Sequence, residues 1–160
     1  MRDVIKRAKK GDAEAISIIY EEYFDRVYRY IAGRVGEQDA EDLTQDVFIK
    51  VMSSLPKIRG DSISSYIFKV ARNRVIDFLR RKKEPVPRNL PSQERDYVEE
   101  REDLRRAMEK LTDLQREVLI LRFFSDLPIK EVARILGKKE GAIKVIQHDA
   151  IKALRRYLET

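Results

Sequence analysis

A run of apolar side chains at every fourth position is the feature that most restricts how this chain can fold. The five positions are Ala15, Ile19, Tyr23, Val27 and Ile31. This spacing places them on one face of an amphipathic α-helix. Asp12 stands where a helix N-cap is expected, and Gly33 and Gly36 are predicted to end the helix.

Two further helices are predicted in the same part of the chain. One runs from about Asp39 to Ser53, with the apolar stripe Ala40, Leu43, Val47 and Val51. The other runs from about Ser62 to Lys82, with Ile63, Ile67, Val70, Ala71 and Phe78 facing inward. Strand-like alternation is lacking, and glycine and proline number only 6 and 5. The sequence therefore predicts an all-α fold.

A proline-rich segment divides the chain. Pro85, Pro87 and Pro91 fall within a polar stretch without helical periodicity, which predicts a flexible linker at 84–100. Small helical domains are expected at 1–83 and 101–160, the second containing four short helices. Residues 1–79 carry a net charge of +1 and residues 101–160 a net charge of +4, so the second domain is the stronger candidate for binding duplex DNA.

Composition narrows the partners and the chemistry. The net charge of +6 favours a polyanionic partner. Without cysteine there can be no disulfide and no thiolate zinc site. The N-terminus has no apolar core of a secretory signal, and the longest apolar stretch, VLILRFF, is too short to cross a bilayer. We expect a cytoplasmic protein with no membrane insertion, no metal and no cofactor.

A helix-turn-helix is predicted between Ile129 and Ile146. Ala133 is small enough for a close helix crossing, Gly137 suits the tight turn, and Ile143 and Ile146 face inward. The outer face of the second helix then presents Lys139, Glu140, Lys144, Val145 and His148, with Lys152, Arg155 and Arg156 further along. Such a face fits a DNA major groove. The alternative is a plain helical hairpin with a charged surface, on which His148 is an ordinary surface residue.

The helix that precedes this helix-turn-helix has its own signals. Thr112 and Gln115 are spaced as a capping box, and Leu119 and Phe123 are expected to supply packing.

The third helix of the first domain carries a second nucleic-acid signal. Opposite its core stripe lie an aromatic, an amide and two basic side chains: Tyr66, Lys69, Asn73 and Arg80. A ring for stacking beside charge for the backbone suits single-stranded DNA. The alternative is that Tyr66 packs against a neighbouring helix while the charges are solvated.

The second helix is acidic on its exposed side. Five acids and no base lie between Glu37 and Asp46. Asp42, Gln45, Asp46 and Ile49 are predicted to share one face. An exposed isoleucine among acids is typical of a protein interface. Acids at a helix N-terminus also favour the helix dipole, but this explanation does not account for Ile49. A metal site is a weaker interpretation, because the acids lie around the helix rather than converging on one point.

Three motifs in this order resemble the extracytoplasmic-function (group 4) sigma factors of bacterial RNA polymerase, across nearly the whole chain. They are DAEDLTQDVFIKVM, SYIFKVARNRVIDFLRRKK and the helix-turn-helix. The resemblance implies helical domains σ2 and σ4 and a role in transcription initiation. It also implies core RNA polymerase, through its β′ coiled coil and β flap, promoter DNA and an anti-sigma factor as partners.

The resemblance further implies three sets of binding residues. Core polymerase would bind Asp42, Gln45, Asp46 and Ile49. The −10 element would be bound and opened by Lys57, Arg59, Tyr66, Lys69, Arg72, Asn73 and Arg80, with the loop Lys57 to Ser62 holding a flipped base. The −35 element would be read by Lys139, Glu140, Lys144, Val145, His148 and Lys152.

This chain departs from the family pattern at three positions. Tyr66 stands where the family usually has Trp, Asp149 where an Arg is common, and Lys139 where a Ser or Thr usually begins the recognition helix. Asp149 cannot contact a phosphate as an arginine would, so these changes bear on the preferred promoter sequence.

Two other classes of function remain at this stage. A helix-turn-helix transcription regulator with an unrelated first domain would bind a palindrome by itself, usually as a dimer. It would leave the acidic face and the Tyr66 stripe unexplained. An enzyme is not expected, because the sequence offers no Gly-rich phosphate loop, metal-ligand cluster or activated nucleophile.

Overall fold

The computed structural model describes residues 1–59, 63–82 and 98–159, without the side chains of residues 98–101. Within these ranges the regular structure is helical and no strand occurs, which confirms the all-α prediction. The helices are α1 (Arg2–Lys9), α2 (Ala13–Val35), α3 (Glu37–Ser54), α4 (Ile63–Arg81), α5 (Val98–Glu109), α6 (Asp113–Leu119), α7 (Ile129–Leu136) and α8 (Glu140–Glu159). None of the described helices is both long and apolar enough to cross a membrane.

Two predicted segments lie largely outside this description. The linker predicted at 84–100 is described only at 98–100, where α5 begins. The loop predicted at 57–62 is described as far as Arg59, and its first residue, Lys57, is the last residue of a 3-10 turn at Leu55–Lys57.

Helix α2 forms the centre of the N-terminal half, α1–α4. The Asp12 carboxylate caps it by accepting hydrogen bonds from the backbone N–H groups of Glu14 at 3.0 Å and Ala15 at 3.4 Å. All five residues of its apolar stripe are buried, as predicted. The helix ends at Gly36, which has φ of 93°, as predicted, but the prediction that Gly33 also ends it is wrong, because α2 continues to Val35.

Helices α3 and α4 pack against α2 and against each other. The predicted stripe of α3 is buried. In α4, Val70 and Phe78 are only half-buried, whereas Phe68 and Val75 are fully buried. The sequence pattern did not predict the burial of Phe68 and Val75, because α4 is covered on two sides, by α2 and α3 and also by α7 from the C-terminal half.

The C-terminal half, α5–α8, has the capping box that the sequence predicts. The Thr112 hydroxyl accepts from the Gln115 N–H, and the Gln115 side chain accepts from the Thr112 N–H, each at 3.1 Å. Leu119 is buried as expected, but Phe123 is 51% exposed, so its predicted packing role is wrong. A π-helical turn at Ile120–Phe124 follows α6. Its wider winding changes which side chains face inward.

Helices α7 and α8 form the helix-turn-helix. Gly137 adopts the left-handed conformation, with φ of 65° and ψ of 36°, and the Lys138 N–H donates to the Ala133 carbonyl at 3.0 Å. Ala133 and Ile143 are buried and Ile146 is half-buried. Four helices were expected in this half; α8, with 20 residues, is not a short one.

The two halves pack against each other, a contact that the sequence does not predict. Helix α2 meets the π-helical turn, and α4 meets α7. A Cβ atom at Gly33 would lie 3.1 Å from Ile120 Cδ1, so the glycine permits this close approach. Buried residues of both halves therefore belong to one continuous apolar core.

Candidate protein- and nucleic-acid-binding faces

The exposed face of α3 combines an apolar and several polar side chains. Asp42, Gln45, Asp46 and Ile49 are all exposed, on the side opposite the buried stripe of the helix. Ile49 is 69% exposed, the largest fraction among the exposed large apolar side chains described. An apolar side chain held in water by a rigid helix indicates a surface that a partner covers.

Part of the negative charge on α3 is balanced from α4. Arg74 Nη2 lies 3.1 Å from the Asp46 carboxylate, and Lys82 Nζ lies 3.4 Å from that of Asp39. Asp42 has no such ion pair among the described residues. The Asp42 carboxylate is therefore more available to a partner than that of Asp46, which also pairs α3 with α4. The sequence pattern gave no indication of these ion pairs, because their members lie about 28 to 43 residues apart.

Beside this face lies a shallow apolar groove, which we call the aromatic groove. It is lined by Tyr20, Gln45, Phe48, Ile49 and Met52. The Tyr20 ring lies 5.0 Å from the rings of both Phe24 and Phe48, in the distance range of favourable aromatic pairs. Tyr20 belongs to α2, so sequence periodicity within α3 could not find it. The groove gives Ile49 a neighbouring surface that can accept an apolar side chain of a partner.

The outward face of α4 carries most of the residues expected at the −10 element. Lys69, Asn73 and Arg80 are exposed, as are Lys57 and Arg59 in the described part of the loop. Tyr66 is half-buried and packs against the core. The alternative that the sequence left open, in which Tyr66 packs within the protein, therefore applies to part of its ring. The structure therefore places Lys69, Asn73 and Arg80 on the exposed side of α4 but leaves Tyr66 only partly available for stacking.

Arg72 differs from the others because it lies at the contact between the halves. Its Nε donates to Glu117 Oε1 at 2.8 Å, and Glu117 belongs to α6. The same oxygen accepts from the Tyr30 hydroxyl at 2.7 Å and lies 3.4 Å from Arg34 Nη1. Burial, and next the Glu117 carboxylate, raise the pKa of Tyr30 well above its ordinary value, so this hydroxyl stays protonated and donates. The sequence singled out neither Glu117 nor Arg34.

The outer face of α8 is basic and open. The residues expected at the −35 element are all exposed: Lys139, Glu140, Lys144, Val145, His148 and Lys152. Val145 is 60% exposed, and an apolar group there suits contact with a thymine methyl. A groove along the helix continues past Lys152 to Arg155 and Arg156. Side chains that can reach base edges therefore lie near the start of the helix, and basic side chains that can reach phosphates lie near its end.

Two polar contacts limit the side chains on this face. Gln147 accepts from Arg122 Nε at 2.9 Å, which fixes the amide against the helix-turn-helix scaffold. His148 Nδ1 lies 3.5 Å from the Asp149 carboxylate, so Asp149 can pair with a protonated His148. Lys139 has no side-chain acceptor to cap α8, although its carbonyl accepts from the Ile143 N–H at 3.1 Å.

Comparisons with known proteins find a family match for each half of the chain. Residues 19–84 match the family Sigma-70 region 2, and residues 107–156 match Sigma-70, region 4. Over 98% of its length the chain is 30% identical to the ECF RNA polymerase sigma factor ShbA of Streptomyces griseus, covering 94% of that protein. The chain belongs to the ECF RNA polymerase sigma factors. A sigma factor directs RNA polymerase to promoters, so the chain is a transcription initiation factor.

Other relatives extend the comparison. The chain is 33% identical to the ECF RNA polymerase sigma factor BldN of Streptomyces coelicolor over 99% of its own length, and it spans 66% of BldN. The solved structure of the sigma factor RpoE in complex with the anti-sigma factor NepR from Bartonella quintana has the same fold, with a TM-score of 0.75 at 20% identity. That comparison covers 90% of this sigma factor and 96% of RpoE. The region 2 match decides against a regulator with an unrelated first domain.

Proposed function

We propose that the sigma factor uses three separate faces, one for core polymerase and one for each of the two promoter elements. Core polymerase binds α3 through Asp42, Gln45, Asp46 and Ile49, on its β′ coiled coil. Helix α4 and the loop after Lys57 bind and open the −10 element, and α8 reads the −35 element. On this proposal, residues 1–83 form the domain that binds polymerase and the −10 element. Residues 101–160 form the domain that reads the −35 element, and residues 84–100 are the linker between them. The chain carries no reaction of its own, since polymerase performs the chemistry, and it acts in the cytoplasm, where polymerase and DNA meet.

The exposed Ile49 is the observation that carries the polymerase assignment. It follows the exposed Gln45 and Asp46 by about one helical turn and lines the aromatic groove. The core of a protein interface is depleted in charge and rich in aromatic rings, with polar groups at its rim. The acids of this face also repel DNA, so protein and nucleic acid do not compete for it.

An anti-sigma factor is a further partner on this proposal. RpoE, which shares the fold, was solved with the anti-sigma factor NepR. The exposed apolar side chains Ile49, Val145 and Phe123 give such a partner apolar surface to cover on both halves. The β flap of polymerase is expected on the C-terminal half.

Transcription from a pooled promoter library tests the assignment as a whole. Core polymerase is supplied with the wild-type chain, with Asp42→Arg combined with Ile49→Lys, or with no addition. We expect starts that depend on the wild-type chain, from sites sharing two spaced elements, and no such starts with the double variant. Equal initiation by the wild type and the folded double variant would remove α3 from the polymerase interface.

A further inference from the structure

One carboxylate is held between the two halves by two hydrogen-bond donors and a third, ion-paired group. Glu117 is 4% exposed, and its Oε1 receives the Tyr30 hydroxyl at 2.7 Å and Arg72 Nε at 2.8 Å. Arg34 Nη1 lies 3.4 Å from the same oxygen. A charge at this depth is tolerated only because it is paired and hydrogen-bonded.

All three of these partners of Glu117 belong to the N-terminal half. Tyr30 and Arg34 project from α2, and Arg72 projects from α4, which packs on α2. The C-terminal half contributes only the anion. The three side chains therefore form an anion-binding pocket, which we call the α2–α4 pocket, that is complete without the residue now occupying it. In the packed arrangement the Arg34 side chain is 11% exposed and the Arg72 side chain 34% exposed, so Arg34 is nearly buried and Arg72 is half-buried.

The packed arrangement is too small to read both promoter elements at once. Elements centred near −10 and −35 are about 25 base pairs apart, which is about 85 Å of duplex. A compact chain of 160 residues has a radius of gyration of about 15 Å and is about 40 Å across. The halves must separate when both elements are bound. Separation removes Glu117 from the α2–α4 pocket and leaves two arginines without their shared carboxylate.

The surroundings of the pocket indicate which anion follows. Arg72 lies next to the exposed Asn73 and one helical turn from the exposed Lys69, which are expected to line the opened −10 strand. Guanidinium groups bind phosphate as well as carboxylate, with the same planar donor geometry. We propose that Tyr30, Arg34 and Arg72 bind a backbone phosphate of the opened promoter strand, and that Glu117 occupies this phosphate site while the halves are packed. The proposal rests on the −10 role of α4 given above.

A purely structural role for the same contacts makes a different prediction. If the ion pairs only hold the halves together, removing any member loosens the packing, and DNA gains access to α4. Loss of Arg34 would then increase DNA binding, as loss of Glu117 does. In a phosphate site, loss of Arg34 decreases DNA binding once Glu117 no longer competes. The sign of the Arg34 effect therefore separates the two roles.

The experiment measures binding of the full chain to a fluorescein-labelled single-stranded 15-mer DNA by anisotropy. Glu117→Gln is expected to increase affinity about tenfold, because a competing charged hydrogen-bond acceptor is lost. Adding Arg34→Gln in the Glu117→Gln background is expected to reverse this gain and to lower the slope of log affinity against log salt by about 0.7, the contribution of one phosphate. Arg34→Lys in that background should retain part of the affinity.

The matched control is Lys50→Gln in the Glu117→Gln background. Lys50 is an exposed base of α3 in the same half, so the variant loses the same charge outside the pocket. It should leave the affinity within about twofold, as expected for an exposed charge outside the site. Small-angle scattering of each variant establishes whether the halves have separated. If Glu117→Gln does not fold, Gly33→Leu opens the contact sterically, because its side chain would collide with Ile120.

Three results would overturn the proposal. The first is an equal or higher affinity after Arg34→Gln in an opened variant, which leaves only the structural role. The second is an unchanged Arg34 effect on a 15-mer with an uncharged methylphosphonate backbone. The third is Arg34-dependent binding of an acidic peptide without Arg34-dependent binding of DNA, which would make the pocket a protein site. Promoter-dependent transcription by the wild-type chain is measured alongside, so that failure of the −10 assignment is seen separately.

Discussion

Glu117 and Arg72 belong to opposite halves of the chain, and a hydrogen bond of 2.8 Å between Arg72 Nε and Glu117 Oε1 joins them. Arg72 is expected at the −10 element, so the packed arrangement engages a DNA-binding residue in a protein contact. The contact is also part of the fold, because Glu117 is almost fully buried. Its removal should therefore be visible in stability as well as in DNA binding.

Glu117→Ala should lower the free energy of unfolding by about 2–3 kcal/mol. Breaking a fully buried ion pair costs about 3–5 kcal/mol. We expect a smaller loss here because solvent screens the Arg72 side chain, which is one-third exposed. Urea unfolding followed by circular dichroism measures the change. Glu22→Ala, which removes an exposed acid from α2, should change stability by less than about 0.5 kcal/mol. Equal effects of the two variants would show that the contact between the halves contributes no stability.

Ile49→Ala should weaken polymerase binding without weakening the fold. The side chain is 69% exposed, so its loss should change unfolding by less than about 0.5 kcal/mol. Covering the same side chain with a partner is worth about 1–2 kcal/mol, a loss of about tenfold in affinity. Binding of labelled core polymerase measures it.

The control for Ile49→Ala is the adjacent, exposed Lys50→Ala. We expect this change to leave polymerase affinity close to that of the wild type. Similar losses in both variants would point to a general effect on α3 rather than to contact through Ile49.

The sequence predicted the elements of this fold better than their arrangement. Helical periodicity identified the core of α2 and α3, and the spacing of Ala133, Gly137 and Ile143 identified the helix-turn-helix. These signals are local, because a helix repeats every 3.6 residues. The packing of Ile120 on Gly33 joins residues far apart in the chain, and periodicity contains no information about such a contact. Gly33 was accordingly predicted to end α2, although it permits the approach of the other half.

Local periodicity likewise predicted which side chains of the candidate binding faces are exposed, but not their neighbours from other helices. Ile49 and Val145 each stand on the polar side of an amphipathic helix, which periodicity alone reveals. Tyr20, which completes the aromatic groove, and Arg74, which pairs with Asp46, come from other helices. Phe123 was misplaced because a π-helical turn breaks the repeat on which the prediction depended.

Lys144→Ala should reduce initiation from promoters that depend on the −35 element. Lys144 is exposed on the outer face of α8, where loss of a base contact costs about 1–3 kcal/mol. Runoff transcription from promoters with altered −35 sequences measures both strength and preference. Lys130→Ala removes an exposed lysine from the first turn of α7 and should have a smaller effect. An unchanged −35 preference in Lys144→Ala would remove this residue from the base-reading set.

The Asp12 cap should make stability depend on pH in the acidic range. Hydrogen bonds from the Ala15 N–H, and next from Arg7, lower the pKa of Asp12 below its ordinary value of 3.8. A carboxyl group with a lowered folded-state pKa stabilises the protein above its unfolded pKa, and the stabilisation is lost as pH falls through the folded pKa. Thermal melts should show that the melting temperature of Asp12→Asn is closer to that of the wild type near pH 2 than at pH 7. An equal difference at both pH values would show that ionisation of Asp12 does not stabilise α2.

Two glycines of the helix-turn-helix should respond in opposite directions to the same substitution. Gly137 has φ of 65°, whereas Gly141 lies in α8, and a Cβ atom at either position would meet no heavy atom within 4 Å. Steric crowding is thus excluded at both, and only backbone preference differs. Gly137→Ala should destabilise the fold by about 1–2 kcal/mol, the cost of a left-handed alanine. Gly141→Ala should stabilise it by up to about 1 kcal/mol, the difference in helix propensity. Urea unfolding of the two variants measures both changes, and a destabilising Gly141→Ala would mean that the start of α8 is not held as a helix in solution.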